Sequence, residues 1–220
     1  HVDLRPDDVR NRISGANLVN VGTPEVMEIW NLVFIQYNRK VDGQLEELPA
    51  KHIDTGMGFE RISMVLQQKT SSYDTDIFSP LIQYIATFSG HPYTASYAPQ
   101  AKSDLAMRVI ADHIRAITFT IADGSIPSNT GSGYVIRRIL RRAVRYYYSF
   151  LGIKDPFLFR LIPILVDTMG DVFPEIKSQQ EFIIKVVHEE EISFLRTLEG
   201  GLKKLDQLKL DSGLISGSLA

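Results

Sequence analysis

Asp54-Thr55-Gly56-Met57-Gly58-Phe59-Glu60-Arg61 lies where one periodicity gives way to another in this 220-residue chain. Before it, apolar and polar residues alternate as in a strand. After it, Phe59, Ile62, Val65 and Leu66 recur at the spacing of one helical face. Gly56 and Gly58 permit a backbone to approach a flat ligand closely. Arg61, in the first helical turn, offers a planar guanidinium to a phosphate or a base. The layout is that of a nucleotide site. The plainer alternative is a glycine turn ahead of a helix, with Arg61 paired to a surface carboxylate.

Upstream, Asn31, Val33, Ile35 and Tyr37 alternate with Leu32, Phe34 and Gln36, which predicts a strand within the Val-, Ile- and aromatic-rich segment from Ala16 to about Lys40. Val41-Asp42-Gly43-Gln44 supplies turn chemistry, and Leu48 to Asp54 is expected to return as an antiparallel neighbour. Asn31 and Val33 then share one sheet face. An ammonium removed from water needs a carboxylate partner, and Asp54 is the acid beside the glycine turn. The competing readings are a satisfied buried amide for Asn31 and core packing for Val33.

Downstream the chain reads as helical. Helices are predicted over Ser72 to Phe88, Ser103 to Ile121, Gly133 to Leu151, Phe157 to Met169 and about Ser178 to Leu210. Ser103 with Asp104 is a plausible N-cap, and a bend is expected at Gly200-Gly201. In the last segment Ile183, Val187, Phe194, Leu198, Leu202, Leu205 and Leu208 form an apolar series. The expected class is α+β: a partial antiparallel sheet region over residues 1–90, an irregular linker over 91–100 and a helical domain over 101–220.

The helix from Gly133 carries Arg137, Arg141 and Arg145 at i, i+4 and i+8, with Arg138 and Arg142 alongside, opposite Val135, Ile139, Leu140 and Ala143. Five arginines without an intervening acid suit a phosphate backbone. The alternative is a solvated face neutralised by Glu189-Glu190-Glu191. His113 beside Asp112 reads as structural.

Composition narrows the rest. Lys plus Arg number 24 against 26 acidic residues, so any nucleic-acid site must be a local patch. There is no cysteine, and the five histidines lack ligand spacing, so no zinc or other metal site is expected. No apolar run approaches the roughly 20 residues a bilayer-spanning helix needs. The start, His1-Val2-Asp3-Leu4-Arg5, and the small polar end from Asp211 to Ala220 are both expected to be cuts in a longer chain.

The eight-residue run resembles motif 3 of class II aminoacyl-tRNA synthetases, Gly-x-Gly-(Leu/Phe)-Glu-Arg, and matches its alanine-specific form, Asp-Thr-Gly-Met-Gly-(Leu/Phe)-Glu-Arg, at every position. Glu28 to Gln36 is similar to the strand lining the amino-acid pocket in that family. Ala122-Asp123-Gly124 through Pro127, Asn129, Gly133-Tyr134 and Arg137-Arg138 to Arg141-Arg142-Ala143, preceded by Arg108 to Arg115, resembles the helical region of the same enzymes. The resemblance implies that Asn31 and Asp54 hold an alanine ammonium and that Val33 and Gly56 shape a methyl-sized pocket. It implies that Gly56, Gly58, Glu60 and Arg61 bind ATP, supplied with Mg2+ as a substrate complex, with Arg61 in the catalytic role. It further implies that Asn129 reads a wobble G·U pair in the tRNA(Ala) acceptor stem, and that Arg137, Arg138, Arg141, Arg142 and Arg145 hold phosphates. The partners would be tRNA(Ala), ATP and L-alanine, with no membrane, in the cytoplasm.

Several family parts have no counterpart in this sequence: motif 1, the motif 2 strands and loop, the editing histidines, and an Asp that partners the base-reading Asn. The chain alone is therefore expected to be inactive in adenylation. Two other classes of function stay open, a helical RNA-binding module without catalysis and a structural or protein-interaction domain.

Overall fold

The computed structural model describes residues 1–207, and its contacts divide the chain into two compact units, His1–Ile77 and Phe78–Ala220. The division precedes the helix that leads into 91–100, so that helix belongs with the second unit rather than with the expected first domain. Leu208 and Leu210 of the expected apolar helix and the expected small polar end from Asp211 to Ala220 lie outside the described residues.

In the first unit, β1 (Val2–Asp3) pairs antiparallel with β2 (Val26–Met27), with α1 (Asp7–Arg12) between them. Arg5 clamps this corner. Its backbone N–H and Nε donate to Asp3 Oδ1 at 3.1 and 2.9 Å, and its Nη2 donates to Asp3 Oδ2 at 2.7 Å and to the Ile13 carbonyl at 2.9 Å. These bonds hold the Asp3 carboxyl down at about 2.

The expected hairpin is present and longer than its sequence outline: β3 (Trp30–Arg39) pairs antiparallel with β4 (Leu45–Met57). Gly43, at φ +87°, and an Asp42 carboxylate accepting from Gln44 N close the turn. The register slips between Ile35 and Tyr37, opposite a stretch containing Pro49, which has no N–H for a ladder bond. Trp30, Leu32, Phe34, Ile53 and Met57 share one ribbon face, each more than half exposed. Asn31 and Val33 on the other face are also exposed in this chain. The segment before β3 is a short 3-10 turn (Gly15–Leu18) and β2 rather than one long strand.

Helix α2 (Phe59–Leu66) follows directly, with Gly58 at its N-cap and its N–H donated to the Ile29 carbonyl at 3.0 Å. The helix predicted from Ser72 is shorter. Ser72–Asp74 forms a 3-10 turn, and α3 (Ser79–Ser89) starts with Pro80 in its first turn, where a missing N–H costs nothing. Gly90, left-handed at φ +71°, ends it.

The second unit packs α3, α4 (Lys102–Ala122), α5 (Gly131–Phe150), α6 (Ile162–Met169), α7 (Pro174–Ser178) and α8 (Gln180–Gln207) around one core. Met107, Ile110, Ile114, Ile117 and Ile121 of α4 face Ile136, Leu140, Ala143, Val144 and Tyr147 of α5, all buried. Ser103 and Asp104 do not cap α4, whose N-cap is Ala101. Asp104 is instead buried one turn inside and reaches back to the preceding segment. It accepts from Thr94 N at 3.2 Å, Thr94 Oγ1 at 2.8 Å and Ser96 N at 2.7 Å. Arg108 adds a bond to the Ser96 carbonyl at 2.7 Å. The 91–100 segment is thus irregular in backbone but tied down.

The helix expected from Phe157 begins as a 3-10 turn (Leu158–Leu161) and becomes α6 at Ile162, with Pro163 in its first turn. The carboxylate of Glu191, fully buried on α8, satisfies the N–H groups of Phe157, Leu158 and Phe159 at 2.8, 2.7 and 3.1 Å and accepts the Tyr147 hydroxyl at 3.0 Å. Burial raises the Glu191 carboxyl above its ordinary range against the pull of these four donors, and it raises the Tyr147 hydroxyl as well. Helix α8 continues through Gly200-Gly201, so the expected bend there brings no break in the helix. Ile183 and Val187 of the apolar series are buried, whereas Leu202 and Leu205 are exposed.

Candidate active-site cleft and nucleic-acid face

The register of the ribbon places the predicted small-molecule residues. Asn31 stands opposite Gly56 and Val33 opposite Asp54, so period two puts all four on one face. Together with Gly58 and Arg61 they line one open cleft of about 490 Å3, whose remaining wall is Glu28, Ile29 and Met57. Arg61 Nη1 donates to the Glu28 carbonyl at 2.6 Å, which anchors the guanidinium while using one of its five donors. A Cβ on Gly58 would come within 3.2 Å of Arg61 Cδ, so this glycine lets the arginine fold back over the strand end. A Cβ on Gly56 would meet nothing within 4 Å. The bare backbone there keeps the cleft floor clear.

Glu60, half-buried in the first turn of α2, is not among the residues lining this cleft. Glu28, Ile29 and Met57 also border the cleft; they lie within the two sequence runs that marked it but had no site role of their own. Glu28 and Ile29 precede β3 and Met57 is the last residue of β4, so they border the cleft at the ends of the two strands rather than through the alternating face.

On α5 the arginines divide into two groups. Arg138, Arg142 and Arg145 are exposed, and with Arg141 they line an open cleft of about 660 Å3 together with His113, Val135, Ile139 and Phe194. Arg137 and Arg141 are partly buried against Glu190. Arg137 Nη2 donates to Glu190 Oε2 at 3.1 Å, and Arg141 Nε donates to Oε1 at 3.0 Å. The single positive face is therefore corrected to three outward arginines and a pair held by one acid. Val135, expected opposite the arginines, is more than half exposed and lines the basic cleft, and Ile136 takes the core position. His113 Nδ1 lies 3.2 Å from Asp112, whose carboxyl is lowered first by that hydrogen bond, so the histidine has a structural partner even though it borders the cleft.

Asn129 lies exposed on the 123–130 loop, and its Oδ1 accepts from Arg137 Nη1. A guanidinium only donates, so the amide oxygen must face it and the NH2 group is left to meet a ligand. The loop owes its course to Gly124, at φ +89°, and to Gly133, where a Cβ would sit 2.4 Å from the Ile126 carbonyl. Among the described residues, no three His, Asp or Glu side chains converge to hold a metal ion, and no helix is long and apolar enough to cross a membrane.

The pattern of the tRNA synthetases class II (A) family matches residues 6–215. The chain belongs to this family. It is 61% identical over 209 residues to alanine–tRNA ligase of Cytophaga hutchinsonii, covering 95% of this chain and 23% of that protein. It is 60% identical over 212 residues to the alanine–tRNA ligase of Bacteroides fragilis, covering 96% of this chain and 24% of the relative. To the alanine–tRNA ligase of Flavobacterium psychrophilum it is 56% identical over 213 residues, with 94% and 24% covered. The chain spans about a quarter of the length of these curated relatives. The α+β class expected from the motifs agrees with the mixed helical and antiparallel structure of this class II member.

Proposed function

We propose that this chain supplies part of an alanine–tRNA ligase, which joins alanine to ATP as an adenylate and then passes the alanyl group to tRNA. The observation that carries the reading is the single cleft uniting Asn31, Val33, Asp54, Gly56, Gly58 and Arg61. Asn31 and Asp54 would hold the ammonium, with Val33 and Gly56 around the methyl group. Arg61 and the Gly56–Gly58 backbone would face ATP, which brings Mg2+ with it. Glu60 is assigned to the ATP end of the site by motif alone, as a support of the helix start rather than a wall of the cleft.

The reaction needs no side-chain nucleophile. The alanine carboxylate attacks the α-phosphate and pyrophosphate leaves; a terminal ribose hydroxyl of tRNA then attacks the adenylate carbonyl and AMP leaves. Positioning and charge stabilisation suffice for both steps. Arg138, Arg142 and Arg145 would grip acceptor-stem phosphates, with Arg137 and Arg141 behind them. Asn129 would read the G·U pair, in a protein acting in the cytoplasm.

The test is a chimera in which this chain replaces the matching quarter of the Cytophaga hutchinsonii ligase. Alanine-dependent ATP–pyrophosphate exchange should persist in the chimera, fall by at least about a hundredfold with Arg61→Ala, as expected for loss of a positioned charge donor, and be near background in the isolated chain. An inactive chimera that still binds acceptor-stem RNA would favour the RNA-binding module instead. Full exchange by the chain alone would contradict the proposed division of labour.

A further inference from the structure

Glu190 belongs to α8, yet its carboxylate works on α5. The residue is only 9% exposed, and two arginines converge on it: Arg137 Nε lies 3.0 Å from Oε1 and Nη2 donates to Oε2, while Arg141 places both Nε and Nη2 3.0 Å from Oε1. The other end of the Arg137 guanidinium reaches the 123–130 loop, with Nη1 on Asn129 Oδ1 and Nη2 also 3.4 Å from the Pro127 carbonyl. A continuous line of charge-assisted bonds therefore runs from a buried acid through one planar group to an exposed amide. Its neighbours have different employment: Glu191 anchors the Phe157–Phe159 backbone, and Glu189 is exposed.

An arginine half-neutralised by a buried carboxylate is a weak phosphate ligand, but its rigid fork makes a good strut. An exposed Asn on a loop would otherwise sample several rotamers, and ordering it during binding would cost affinity for the correct base. We propose that Glu190 is a positioning residue for RNA selectivity, holding Arg137 so that the Asn129 amide is oriented before RNA arrives. The inference rests on the reading that Asn129 contacts a base edge, and it assigns selectivity to a residue on a different helix that touches no RNA.

The test uses Glu190→Gln and Arg137→Lys in this chain. The lysine keeps the charge but has no fork with which to bridge two partners. In the 15N–1H spectrum of the free chain, both substitutions should move the Asn129 side-chain amide signals toward those of an unrestrained asparagine. In binding to acceptor-stem hairpins with a G·U or a G·C pair, both should lower the G·U preference by about fivefold or more, the lower end of one base-edge contact. The salt dependence of Arg137→Lys should stay that of the unsubstituted chain, and Glu190→Gln combined with Asn129→Ala should discriminate no worse than Asn129→Ala.

Asn129 signals that ignore both substitutions would overturn the relay whatever the RNA does. A double variant clearly less selective than Asn129→Ala would overturn it too, since Glu190 would then act elsewhere. A chain whose preference survives Asn129→Ala would remove base reading by Asn129 and Glu190's part in selectivity with it, an outcome distinguishable because the amide signals would still respond.

Discussion

The ribbon of β3 and β4 and the bundle of α4, α5 and α8 assemble their functional groups by opposite means. No residue of either ribbon strand is buried, and the cleft residues meet only because hydrogen-bonded register aligns Asn31 with Gly56 and Val33 with Asp54. In the bundle, burial decides: the core face of α5 leaves Arg138, Arg142 and Arg145 outside, and buried acids on α8 fix what lies between. A two-stranded ribbon is at best marginal by itself, and this one carries exposed apolar side chains on one face. Changes on the ribbon should therefore affect chemistry more than stability, and changes to buried polar groups of the bundle should do the reverse.

The largest effect belongs to Glu191. Replacing it by Ala removes the acceptor for three backbone N–H groups and the Tyr147 hydroxyl, so the helical unit should lose about 3 kcal/mol or more in chemical denaturation. Because burial raises this carboxyl, the folded state holds its proton more firmly than the unfolded state. The contribution of Glu191 to stability is then fullest below its ordinary value of 4.5 and declines as the pH rises through the raised one. The stability difference between the unsubstituted chain and Glu191→Ala should accordingly shrink with rising pH across that window; growth over the same window would reverse the assignment.

Gly133→Ala should come next. The added methyl meets the Ile126 carbonyl and the Ser128 hydroxyl, an overpacking worth roughly 1–3 kcal/mol in thermal unfolding. It should also displace the loop bearing Asn129. Unchanged stability would mean that the loop is looser than its contacts imply. The smallest effect is expected for Phe34→Ser, since Phe34 is 72% exposed: within about 0.5 kcal/mol in this chain. The same substitution in the chimera should cost several times more if further catalytic-domain structure covers the apolar face, and an equally mild effect there would break the comparison.

Sequence legibility followed the same divide. The eight residues from Asp54 to Arg61 revealed the strand-to-helix switch, and alternation from Asn31 showed which side chains share a face. The slip opposite Pro49 depends on cross-strand pairing and was not visible. Pro80 did mark a helix start, but apolar spacing from Ser72 masked it. Asp104 looks the same locally whether an acid caps its own helix or captures an earlier loop. The Glu190 contacts span 49 and 53 residues, so the sequence could offer acids able to neutralise α5 without showing which acid meets which arginine. Val135 is apolar and still faces the cleft, a case where residue type misassigns the helix face.

The central claim, that one unit carries the adenylate chemistry and the other grips the acceptor stem, is tested most directly in the chimera bearing Arg138→Gln, Arg142→Gln and Arg145→Gln together. Alanine-dependent ATP–pyrophosphate exchange should stay at the level of the unsubstituted chimera while tRNA charging collapses through a raised KM for tRNA, with the salt slope of RNA binding falling by about 1 per lost phosphate contact. Loss of exchange in step with charging, or charging that survives all three substitutions, would contradict the account.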